Sequence, residues 1–301
     1  MLNNQSQTSH ERESGIYIFK EYFELTKPRL TLFSVTTALL GFYLGSVSKI
    51  HWLDFWNTFL SACLIGGGGN ALNQYWEHDI DAKMNRTKNR PIPSGKITPY
   101  YGLYFGMMLS ILGLFYCYWT LNPPATRISF SILFSYVLIY TPLKKKTTYC
   151  TLIGAIPGAL PPLLGWSAAC GSINFQAIIL FLIIFFWQMP HFLAISWVCK
   201  EDYAKAGLKM TAVLDPNGKR IVKEIIIYTG VLFLVSLLPY FFKLAGPIYF
   251  LIAILSGLSF LGFSLYMTHL RLSLHAKKYF LTSLVYLSLL VLFMMADKIT
   301  P

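Results

Sequence analysis

Charge is what this sequence has least of. Only 13% of its 301 residues are Asp, Glu, Lys or Arg, while 55% are hydrophobic and the mean hydropathy is +0.52. Soluble domains carry about a quarter of their residues as charges, so the shortage excludes that class and leaves a polytopic membrane protein whose uncharged runs cross a bilayer. Acids are scarcer still, 13 against 25 Lys and Arg, for a net charge of +12. No basic patch stands apart from the short segments between apolar runs, which excludes a nucleic-acid partner. Cysteines number five, Cys63, Cys117, Cys150, Cys170 and Cys199, with no pair at metal-ligand spacing. That excludes a zinc site or a disulfide framework and leaves them as small packing residues. Residues 1–27 lack an apolar core, so they are neither signal peptide nor span; they read as a short disordered arm ahead of one integral-membrane domain over 28–301.

What is present is a set of nine runs near the roughly 20 residues needed to cross hydrocarbon, at about 30–48, 55–78, 99–121, 126–142, 149–169, 174–198, 221–242, 246–269 and 279–297. The expected fold is all-α, with nine transmembrane helices. Pro157, Pro161 and Pro162 should kink or break the fifth, which is then expected to be buried against its neighbours. Of the 25 Lys and Arg, 21 fall in the N-terminal segment and alternate loops, leaving Lys49, Arg127, Lys243 and Lys298 on the other side. The positive-inside rule then puts the N-terminus in the cytoplasm and the C-terminus outside, as nine spans require.

A charge in the membrane interior is costly, and the middles of these spans are clean. Polar groups gather instead at the cytoplasmic ends of the second and sixth. The second ends Asn73-Gln-Tyr-Trp-Glu77-His-Asp79-Ile-Asp81 and is preceded by Gly66 to Gly69 and Asn70. Asn73, Glu77 and Asp81 are spaced i, i+4, i+8, so on a helix their oxygens stack along one face. Such a ladder suits Mg²⁺, which takes only one or two protein carboxylates and completes its shell with water and phosphate. It implies a phosphorylated substrate. Arg86 and Arg90 follow at once, and Lys144, Lys145 and Lys146 form another cytoplasmic cation cluster able to neutralise phosphate oxygens. The sixth span ends Trp187-Gln-Met-Pro190-His191, then Trp197, Lys200, Glu201, Asp202 and Tyr203. His191 and Asp202 are eleven residues apart and, on an unbroken helix, would share a face. Polar groups at one surface rather than the midplane argue for an enzyme acting on an amphiphile and against a transporter.

These residues together resemble a known family. Asn73 to Asp81 with Asn85-Arg86-Thr-Lys-Asn-Arg90-Pro-Ile-Pro-Ser-Gly95 is similar to the first aspartate-rich motif of the UbiA superfamily of intramembrane prenyltransferases. Tyr140-Thr-Pro-Leu-Lys-Lys-Lys-Thr147, Ile153 to Trp166 and Trp187-Gln-Met-Pro-His-Phe-Leu-Ala194 resemble the branch of that superfamily that farnesylates haem. The resemblance, over about 22–297, implies a helical bundle around a central cavity. It also implies farnesyl diphosphate as donor, Mg²⁺ held by Asn73, Glu77 and Asp81, Arg86 and Arg90 acting with them, and substrate contacts from Lys144, Lys145, His191, Lys200, Glu201 and Asp202. Haem b would be the acceptor substrate rather than a cofactor. The implied setting is a bacterial inner membrane, in contact with lipid and with room for a haem A synthase or terminal-oxidase assembly partner. Two positions depart from the superfamily pattern, Glu77 and Gln74 standing where Asp is usual, and the second motif is thinned to Glu201 and Asp202. Two other readings remain at this point. A prenyltransferase for an aromatic quinone precursor would share the diphosphate site, whereas a haem transporter or insertion factor would have no use for Asn73, Glu77 and Asp81.

Overall fold

The structure, a computed structural model, describes residues 17–47, 49–267 and 272–299. Residues 1–16 of the expected arm lie outside them. The rest of the arm is ordered, forming helix α1 over 17–25. It docks because Leu25 is fully buried, the Tyr22 and Phe105 rings meet edge to face at 5.0 Å, and Lys96 donates to Glu21 at 2.7 Å.

The bundle follows as α2 (Pro28–Gly45), α3 (Trp52–Asp81), α4 (Pro99–Thr120), α5 (Pro123–Leu133), a π-helical turn (Phe134–Tyr140) running into α6 (Thr141–Leu143), α7 (Cys150–Ala159), α8 (Pro161–Cys170), α9 (Phe175–Val198), short α10 (Lys200–Lys205) and α11 (Thr211–Leu214), then α12 (Lys219–Phe241), α13 (Pro247–Tyr266) and α14 (Leu272–Ala296). Helix starts are marked by Pro99, Pro123, Pro161 and Pro247, where a missing N–H costs nothing, and by Asn122 and Asn174, whose Oδ1 atoms accept from Ala125 N and Ala177 N.

The nine expected spans fall on these elements, the fourth on α5, the π-helical turn and α6 together and the fifth on α7 and α8. Among the described residues, seven helices are long and apolar enough to cross a membrane by length and composition. The other two expected spans map to α2 and α3. The latter is diluted by the glycines and by the same Asn, Gln, Glu and Asp side chains that make it interesting. The fifth span does break, between Ala159 and Pro161, and 67% of its most apolar stretch is buried against 28% for several of the outer helices. Large apolar side chains such as Ile111, Phe115, Leu251 and Leu292 stay exposed on the outside, as a lipid-facing belt requires.

Tight crossings fix the inner helices. α2 lies on α8 so closely that a Cβ at Gly165 would meet the Ala38 carbonyl oxygen, and one at Gly41 the Pro162 carbonyl oxygen. Neither backbone can yield without shifting a helix. Gly165→Ala is therefore expected to cost about 1–3 kcal/mol or more by overpacking, read as a fall in the thermal midpoint in detergent. Gly262→Ala, with nothing within 4 Å of the new methyl, should leave that midpoint unchanged.

Candidate active site

A cavity of about 470 Å³ runs between α2, α3, the π-helical turn, α7, α9 and α14. α3 brings Asn73, Glu77 and Asp81 to it because the helix continues unbroken to Asp81, so all three stay on one face. All are buried, at 1%, 6% and 1% exposure. Each oxygen donor has its own cation. Lys27 Nζ donates to Asn73 Oδ1 at 2.6 Å, Lys144 Nζ lies 2.8 and 3.0 Å from the two Glu77 oxygens, and Arg90 Nη1 donates to Asp81 Oδ2 at 2.6 Å. The Lys144 contact is aligned as a hydrogen bond only to Oε2, which leaves Glu77 Oε1 buried without one.

These cations are held in place by their surroundings. Burial, helped by the Arg90 charge, pushes the Lys27 ammonium down to about 7. Burial opposes the charge on Lys144 as well, but there the Glu77 carboxylate outweighs it and holds the ammonium well above the ordinary lysine range. Lys144 also sits 4.6 Å over the Tyr140 ring. Around them, Tyr136 donates to Asn70 Oδ1 at 3.1 Å, Asn70 donates to Thr31 Oγ1 at 2.9 Å, and Asn73 donates to Thr141 Oγ1 at 3.0 Å. Asp81, Glu77, Lys27, Arg86, Arg90 and Lys144 give the mouth an excess of cations over acids.

The other candidate residues are dispersed. Arg86 is exposed at the cavity rim, and Lys145 is exposed and does not line the cavity. α9 ends at Val198, so His191 and Asp202 do not share a face: His191 lines the cavity, while Asp202 on α10 accepts the backbone N–H groups of Asn85 and Arg86 at 3.2 Å each. Its carboxylate thereby holds the loop that carries Arg86 and Arg90. Glu201 is exposed, and Lys200 reaches the carbonyls of Asp215 and Pro216 and the Trp197 ring. Gln74 faces away, donating to the Leu25 carbonyl at 2.9 Å, which ties α1 to α3. Sequence reasoning missed Lys27, Tyr136 and Tyr140 as members of the site. Lys27 carried a signal, a basic residue directly before the Pro that starts α2.

Beyond the mouth the cavity turns apolar, lined by Phe33, Ile65, Ile132, Leu133, Phe192 and Leu284, with Trp187, Gln188 and His191 at the α9 wall. A charged entrance joined to an apolar body suits a diphosphate carrying a long hydrocarbon chain. The sequence also matches the UbiA prenyltransferase family over residues 34–293. The chain belongs to that family. This prenyltransferase is 38% identical over 288 residues to the protoheme IX farnesyltransferase of Solibacter usitatus (strain Ellin6076), covering 93% of this chain and 99% of that one. It is 38% identical over 290 residues to the protoheme IX farnesyltransferase of Myxococcus xanthus (strain DK1622), covering 95% and 97%. Among solved structures, it is similar in fold to digeranylgeranylglyceryl phosphate synthase, with a TM-score of 0.79 at 20% identity over 93% of this chain and 98% of that one. A UbiA homolog from Archaeoglobus fulgidus bound to DMAPP and Mg²⁺ gives a TM-score of 0.65 at 15% identity over 92% and 99%.

Two carboxylates and an amide oxygen on one face, with the buried Glu77 Oε1 in ion-pair contact with Lys144 but receiving no aligned hydrogen bond, fit a hard divalent cation. Among the described residues no group of three or more His, Cys, Asp or Glu side chains is placed to hold a metal. A metal here would share its shell with phosphate and water rather than sit in an all-protein cage.

Proposed function

We propose that this prenyltransferase transfers the farnesyl group of farnesyl diphosphate to the 2-vinyl group of haem b, giving haem O and diphosphate. The observation that carries the reading is a cavity that joins three cation–oxygen pairs at its mouth to an apolar body walled by Trp187 and His191. The names of its relatives supply the acceptor and the chain length.

Asn73, Glu77 and Asp81 are the residues that would hold Mg²⁺, which when bound neutralises the diphosphate and draws electrons from the allylic C–O bond. Lys27, Lys144, Arg86 and Arg90 then turn to the diphosphate oxygens, where fixed positive charge is most effective because the site excludes water. The carbon–oxygen bond at C1 breaks with its electron pair leaving on the diphosphate. C1 bonds the terminal vinyl carbon of haem, and water adds to the inner vinyl carbon with loss of a proton, leaving a hydroxyethylfarnesyl group. Phe33, Ile132, Leu133 and Leu284 line the path for the farnesyl tail and keep stray water from the allylic cation. The charge bias of the loops supports placing the mouth on the cytoplasmic face of a bacterial inner membrane.

The test is to incubate membranes carrying the chain with haem b, farnesyl diphosphate and Mg²⁺, with and without chelator, and to resolve the extracted haems by chromatography and mass spectrometry. A farnesylated haem that disappears with chelator is the expected result. Farnesyl diphosphate consumed with haem unchanged would overturn the acceptor, and product formed undiminished in chelator would overturn the metal.

A further inference from the structure

His191 sits within α9 at the wall of the cavity, and among the described residues no acid or base is paired with it. Its Nδ1 lies 2.7 Å from Ser283 Oγ on α14. Ser283 has a single hydroxyl proton, and its Oγ also lies 2.6 Å from the Phe280 carbonyl oxygen. If that proton goes to Phe280, Oγ must accept at Nδ1, so the ring carries its hydrogen on Nδ1 and leaves a bare lone pair on Nε2. The opposite tautomer would leave the Nε2 N–H without an acceptor among the described residues, the rarer kind of orphan. Nε2 has no partner among the described residues, and His191 lines the cavity.

The ring is also clamped. Trp187 lies one turn before it with centroids 4.6 Å apart, Phe280 flanks it at 4.6 Å, and Trp187 Nε1 donates to the Ser283 carbonyl at 2.7 Å. Side chains on α9 and α14 therefore hold one neutral imidazole in one tautomer and one orientation. A histidine that binds a metal ordinarily donates its other ring N–H to a fixed oxygen, which sets the tautomer and raises the basicity of the ligating nitrogen. Packing alone calls for no free lone pair.

We infer that His191 Nε2 is the axial ligand for the iron of the acceptor haem, and that Ser283 is the positioning residue that keeps it unprotonated and aimed. This rests on the reading of haem b as acceptor. Coordination at one face anchors the macrocycle by its metal, which leaves the ring periphery, where the vinyl group lies, to be placed by the cavity walls. It explains why a polar pair is maintained in a wall that otherwise needs only apolar side chains.

The experiment is an equilibrium titration of the purified full-length protein in detergent with haem b and no farnesyl diphosphate, followed by absorption and electron paramagnetic resonance spectra. The wild type is expected to bind haem with the spectrum of histidine-ligated iron. His191→Gly should lose that signature and regain it on adding imidazole, which shows that the variant is folded and lacks only the ligand. Ser283→Ala should keep the signature but bind about 10–100-fold more weakly, as loss of an outer-shell partner does. A His191→Gly protein with the wild-type spectrum, or one that imidazole does not alter, would overturn the inference while leaving haem as acceptor. No haem binding by the wild type would overturn both.

Discussion

Asp81→Asn is expected to lower farnesyl transfer by about 1,000-fold in kcat/KM, roughly 4 kcal/mol of transition-state stabilisation, while the protein stays folded in the membrane. The substitution keeps the shape of the side chain and removes its charge. Asp81 is 1% exposed, so no water compensates, and its charged partner is Arg90 at 2.6 Å. The neutral amide weakens metal binding and frees Arg90 to wander from the mouth. Chelator sensitivity should shift in parallel, half-inhibition occurring at lower chelator concentration. Activity within tenfold of wild type, with unchanged metal dependence, would remove Asp81 from the site.

Lys144→Met should have the second-largest effect, and on two properties at once. Glu77 is 6% exposed and Lys144 is its cation, so the variant leaves a buried carboxylate without a counter-charge. Breaking such a pair from one side costs about 3–5 kcal/mol, and the thermal midpoint should fall accordingly. Adding Glu77→Gln removes the stranded charge and should recover most of that stability, yet activity should stay lost because both the cation and the carboxylate charge are gone. A double variant as unstable as the single one would mean that Lys144 acts through packing over Tyr140 rather than through Glu77. The comparison separates what the pair does for the fold from what it does for the reaction.

How far these groups were legible in the sequence depended on whether their geometry is local. Asn73, Glu77 and Asp81 lie on one helix, where spacing alone dictates a shared face, and the proline break of the fifth span is likewise a property of adjacent residues. Lys27 is 46 residues from Asn73 and Lys144 is 67 from Glu77. In a chain whose Lys and Arg already cluster on one side for topological reasons, spacing alone could not pair Lys27 with Asn73 or Lys144 with Glu77, nor tell Lys144, which reaches the cavity, from Lys145, which does not. Asp202 was misplaced for a related reason: the end of α9 at Val198 and its cap Cys199 carry neither Pro nor Gly, so the helix reads as continuous. α1 was hidden because its stabilising partners, Lys96 and Phe105, come from elsewhere in the chain. The π-helical turn that brings Tyr136 to Asn70 lies in an apolar run with no periodicity to betray it.

The backbone of Lys27 is left-handed, with φ 48° and ψ 64°, and it is followed by Pro28, which restricts the residue before it. For a side chain with a Cβ this conformation costs on the order of 1 kcal/mol, and glycine would occupy it without penalty. Lys27→Gly would relax the backbone and remove the ammonium from Asn73 in the same change. The backbone gain is offset by stranding the buried Asn73 oxygen, a lost hydrogen bond that costs about 1–3 kcal/mol. The strain at this one residue is thus tolerated by the same contact that sets the ammonium at the mouth.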